Sequence, residues 1–186
     1  MIGLLPTTLT VGGKQRAIRS DFRVALLIFQ AYNDPELSEK ERYKIMLECL
    51  FEDEIPNCDI QDALEKAIWF LDGGQPADIS SNKPTAKVMD WEQDEQIIFS
   101  AVNKVAGSET RIKEYMHWWT FLGYFNEIGE GLLSTVISIR QKKAKGKKLE
   151  KHELEFYREH KDLINLKIKL TDEEQQEIDR INKLLG

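Results

Sequence analysis

Lys113-Glu114-Tyr115-Met116-His117-Trp118-Trp119-Thr120-Phe121-Leu122-Gly123-Tyr124-Phe125-Asn126-Glu127 reads at helical spacing. Ile112, Tyr115, Met116, Trp119 and Leu122 fall on one face, and Trp118, Phe121 and Phe125 widen that face until only a narrow seam stays polar. The seam is Lys113, His117, Thr120, Tyr124 and Glu127. A surface helix buries about a third of its circumference, so a helix this apolar is expected at the centre of a bundle. Trp118 and Trp119 are adjacent and must point about 100° apart on a helix, one into the core and the other toward a second layer or a partner.

Working toward the N-terminus, Asp90 with Gln93 forms a capping pattern before Ile97, Ile98, Ala101, Val102 and Val105, a helix that ends before Gly107. Gln75 to Pro84 is polar and rich in turn formers, which predicts a loop. Before it, Asp59 starts a helix with Ala63, Leu64, Ala67, Ile68 and Leu71 on one face, closed by Gly73-Gly74. Ser38 and Glu41 match a capping box for the helix of Tyr43, Met46, Leu47 and Leu50. Ser20 offers an N-cap for the helix of Phe22, Ala25, Leu26 and Phe29. Thr8 to Val11 alternates in polarity, and Gly12-Gly13 accepts the positive φ of a tight turn, so Gln15 to Ile18 returns as the second strand of a small hairpin.

Toward the C-terminus, Leu132, Leu133, Val136, Ile137 and Arg140 begin another helix that runs into six cations between Arg140 and Lys148. Beyond Lys148 the apolar stripes narrow. Residues 149–161 are rich in Glu, Lys and His, and Thr171 with Glu174 caps a last thin helix carrying Ile178, Ile181 and Leu184. The reading is a mainly α protein: a small N-terminal β-hairpin followed by a bundle of six to eight helices. Residues 1–148 form the core domain, and residues 149–186 form a helical extension that is docked on it or offered to a partner.

Composition narrows the function. A net charge of −6 provides no general attraction for nucleic acid or an anionic membrane, and the lysine run follows a helix whose C-terminal dipole it offsets. No uninterrupted apolar run approaches the roughly 18 residues of a membrane span, and the first eleven residues lack the features of a signal peptide. Cys49 and Cys58 have no Cys or His at zinc-ligand spacing. His152-Glu153 lacks a second histidine where Phe156 stands, and His160 lies about 12 Å further along a helix, so no metal site is expected. His117, with Glu114 three residues before it, reads as a hydrogen-bonded histidine at a helix contact, because no nucleophile stands near it. Neither glycine pair continues as a phosphate loop, and no nucleophile elbow is present. An enzyme and a bound cofactor are therefore both unexpected.

Several stretches in this order resemble the bacteriophage gene product fifteen family of phages and prophages of Gram-positive bacteria. They are the hairpin leading into Ser20-Asp21-Phe22-Arg23, Trp91-Glu92-Gln93-Asp94 before Ile97-Ile98-Phe99, and His117-Trp118-Trp119-x-Phe121 followed by Ile137-Ser138-Ile139-Arg140. The resemblance covers about residues 5–166. It implies a gene in the tail module of a long-tailed phage and a non-enzymatic chaperone in the cytoplasm of the bacterial host. Its implied partner is the tape measure protein, with the tail tube protein and further copies of the chain as other candidates. The alternative is a minor structural tail component that stays in the virion. The residues expected to meet a partner are Trp91, His117, Trp118, Trp119 and Phe121, together with Ile178 and Ile181 of the last helix.

Overall fold

The computed structural model describes residues 3–75 and 86–185. Most of the loop expected over Gln75 to Pro84 lies outside them. The described residues form a two-stranded sheet and nine α-helices, with α1 Phe22–Tyr32, α2 Glu39–Leu50, α3 Ile60–Leu71, α4 Glu95–Ala106, α5 Trp118–Asn126, α6 Leu132–Ala144, α7 Lys151–Glu159, α8 Lys161–Ile164 and α9 Asp172–Leu185. The count passes the expected range because Lys161–Ile164 adds a single turn. The mainly helical architecture with an N-terminal hairpin is as expected.

Strands β1 Thr8–Val11 and β2 Lys14–Ala17 pair antiparallel, Val11 opposite Lys14, so the turn is only Gly12-Gly13. Both glycines have positive φ, the geometry that matches a two-residue turn to the twist of its strands. Leu9 and Val11 are buried, and β1 lies on α3, which supplies the apolar surface that a lone hairpin lacks. Helix α1 packs on α2 and α2 on α3, while α1 and α4 both pack on α5 and α6 packs on α4.

The expected helix from Lys113 begins only at Trp118. Residues 116–118 pair in extended fashion with residues 20–22: Phe22 N–H donates to Met116 O, and Trp118 N–H donates to Ser20 O at 2.7 Å. Tertiary pairing overrides the helical pattern there, and the expected face breaks, leaving Ile112 and Tyr115 exposed. What remains is short but central. Phe121 of α5 stacks on Phe22 of α1 at 4.6 Å and meets Phe99 of α4 edge-on at 5.7 Å.

Side-chain caps set some of the other helix starts, though Asp59 makes no such bond to α3. Ser38 and Glu41 form the expected reciprocal box on α2, as do Thr171 and Glu174 on α9. Helix α1 is capped by Asp21 rather than Ser20, because the Ser20 hydroxyl is engaged with the Tyr115 hydroxyl at 2.8 Å. Asp90 accepts the amides of Glu92 and Gln93, yet α4 starts later, at Glu95.

The main core is built from the hairpin, α1 to α5 and Leu133. A smaller cluster of Val136, Ile139 and Ile164, bordered by Leu149, Phe156 and Leu163, packs the segment after Lys148 against α6. By contrast, every residue from Asp172 to Leu184 is exposed.

Candidate partner-binding surfaces

His117 stands where α5 begins. Its Nδ1 accepts the amide of Trp119 at 3.0 Å, so the imidazole is neutral, with its proton on Nε2, which donates to Pro6 O at 2.9 Å. The ring thus caps a helix and pins the N-terminal segment. Glu114, expected as its partner, is not bonded to it. Asp21 adds a second tie, accepting the amides of Arg23 and Met116, each at 3.0 Å.

The two tryptophans do one job together. Trp118 Nε1 donates to Leu71 O and Trp119 Nε1 to Phe70 O, both at 2.8 Å. These are terminal carbonyls of α3, which have no partner within their own helix. The other two are satisfied locally, Ile68 O by Asp72 N–H and Trp69 O by Gly74 N–H, and Phe70 O also takes Gly73 N–H, which completes a Schellman turn. A Cβ on Gly74 would sit 2.8 Å from the Trp119 ring, so the tryptophan clamp and the glycine turn require each other.

Trp118 is 1% exposed, and His117 and Phe121 are also buried. A partner meeting the folded chain would touch other residues. Trp119 is half-buried against Trp69, and half-buried Trp91 borders an open groove. Ile178 and Ile181, on α9, are 39% and 45% exposed. The structure therefore separates the expected set, placing three residues in the core and two on the exposed α9.

Reading the sequence missed Arg140, which looked like the start of a solvated lysine run. It is buried, and all five of its N–H donors are used. Nη1 and Nη2 grip Asp94 at 2.6 and 2.8 Å; the others reach Val88 O at 3.1 Å, Ile164 O at 2.7 Å and Leu163 O at 2.8 Å. This fork joins α6 to the start of α4 and to α8. The one available signal was helical spacing, which puts Arg140 one turn after Val136 on the buried face.

Two grooves among the described residues are open and largely apolar. The first, about 410 Å³, runs between α1 and α4 over Phe22, Phe99 and Trp91, with exposed Leu27 on its edge. The second, about 480 Å³, lies between α4 and the α5–α6 connection, lined by Ile97, Ala101, Val105, Ile128, Leu132 and Leu133. Val105 and Leu132 remain 37% and 48% exposed there. Phe125 and Ile137 extend this apolar surface through an adjoining hollow that shares Ile128 and Leu133.

Among the described residues, no cluster of three or more His, Cys, Asp or Glu could hold a metal ion, and no helix is long and apolar enough to cross a membrane. Burial pushes the Cys49 thiol up, away from the reactive thiolate.

The architecture defines a mainly helical, hairpin-capped protein with open apolar grooves. The family model described as Bacteriophage Gp15 protein matches residues 1–166, and the chain belongs to that family. The match ends just past Ile164, so the Arg140 fork with α7 and α8 lies inside it and α9 lies outside. No curated protein and no solved structure matches the chain.

Proposed function

We propose that this phage protein is a non-enzymatic tail assembly chaperone that holds the tape measure chain in the cytoplasm of the bacterial host. The tape measure protein is a long helical chain, and helical clients lay their apolar faces into grooves. The observation that carries the reading is the groove beside α4, where Val105 and Leu132 are left open between helices that are otherwise well packed. A net charge of −6 keeps a complex with an apolar client dispersed. Each contact is small, and many copies along one long client add by avidity.

The test is co-expression with the phage's own tape measure protein, followed by size-exclusion chromatography and by mass spectrometry of purified virions. A chaperone brings the tape measure protein into the soluble fraction, co-migrates with it and is absent from finished particles. An insoluble tape measure protein, together with stoichiometric copies in the virion, would replace this reading with that of a minor structural tail component. The same chromatography with the tail tube protein tests that second partner.

A further inference from the structure

Helix α9 is a 14-residue helix whose residues from Asp172 to Leu184 are all exposed. Its apolar stripe of Ile178, Ile181 and Leu184 has no covering surface among the described residues, and a helix of this length is marginal in water without one. We propose that the stripe docks in the α1–α4 groove of a second copy, making a reciprocal exchange between two chains.

The groove has the required form. Helices α1 and α4 lie side by side on α5, and the edge contact of Phe22 with Phe99 closes the floor between them. Leu26, Leu27 and Ile98 line the walls. A helix of 14 residues is about 21 Å long, enough to span the stretch of roughly 10 Å from Arg23 to Gln30 along α1.

Charge sets the direction in which the helix of a second copy would lie in the groove. The segment before α9 is fixed at the Gln30 end, because Lys169 Nζ meets Glu92 at 2.5 Å and the Asp172 amide donates to the Glu36 carboxylate. The acidic turn of Asp172, Glu173 and Glu174 already begins there, beside Glu36 and Glu92, and α9 runs on exposed from it without covering the chain's own groove. In the opposite direction, open only to a helix from another copy, the acidic turn faces the Arg23 and Arg111 end. The Arg180 and Lys183 turns then face Glu92. Arg23 and Arg111 are each already held by one carboxylate, Asp21 and Glu109, so this pairing chiefly sets direction while the apolar stripe supplies the affinity. Two such exchanges form a closed, self-complementary dimer.

The test uses the full chain alone, so its outcome is independent of the tape measure reading. Light scattering across a concentration series should report a species of twice 21.6 kDa. Ile181→Asp and Leu27→Glu, both at exposed positions, should each weaken association by about tenfold or more with an unchanged circular dichroism spectrum. In a background with Cys49→Ala and Cys58→Ser, a chain with Leu27→Cys mixed with a chain with Ile181→Cys should give a cross-linked heterodimer on oxidation. A monomer at every concentration overturns the proposal. So does an intramolecular disulfide in a chain carrying both cysteines with no heterodimer in the mixture, or dimerisation that both charged variants leave intact.

Discussion

Asp94 and Arg140 have side chains 0% and 4% exposed, and their value to the fold depends on each keeping the other. Removing one charge strands its partner in a medium that solvates it poorly. Asp94→Ala should therefore cost about 3–5 kcal/mol in urea unfolding, whereas the double variant Asp94→Leu with Arg140→Met should recover most of that loss. Gly74 has φ of +80° and no room for a Cβ beside Trp119. Gly74→Ala should cost more than about 1 kcal/mol by the same measurement, since strain at positive φ adds to the clash.

At the scale of elements, α7 is held partly by one carboxylate. Glu153 accepts the Glu150 amide at 2.9 Å, which caps the helix, and takes the Lys142 ammonium at 2.6 Å, which ties it to α6. The Lys142 hydrogen bond, then the Glu150 amide, hold its carboxyl below the ordinary 4.5. Because the folded value is the lower one, the stabilisation is fully present above 4.5 and is lost as pH falls through the folded value. Hydrogen exchange should show α7 amides losing protection on acidification while α5 keeps its own, and Glu153→Gln should loosen α7 already at neutral pH. Much at this scale was legible from the chain: the Gly12-Gly13 hairpin, the Ser38 and Thr171 boxes, and the glycine stop of α3. These devices are local, each made by residues within a few positions of one another. The late start of α5 was hidden because its cause is distant, a pairing of residues 116–118 with residues 20–22. Arg140 was hidden for the same reason, its partners lying 23 to 52 residues away.

For the whole molecule, the chain after Lys148 divides at about Leu170. Residues before it pack on α6, and beyond it Asp172 to Leu184 of α9 are exposed. Truncation after Leu170 should shift Tm by no more than about 2 °C, while abolishing the proposed exchange between copies. Buried Trp118 and half-buried Trp119 serve the architecture by holding the end of α3, and the grooves beside α4 stay open. The most direct test of the client site is a photo-crosslinking amino acid placed at Val105, in the groove, and in a second chain at Glu65, on the exposed side of α3. With the tape measure protein co-expressed, position 105 should capture it and position 65 should not. No capture at 105, or equal capture at both, would contradict a client site in this groove.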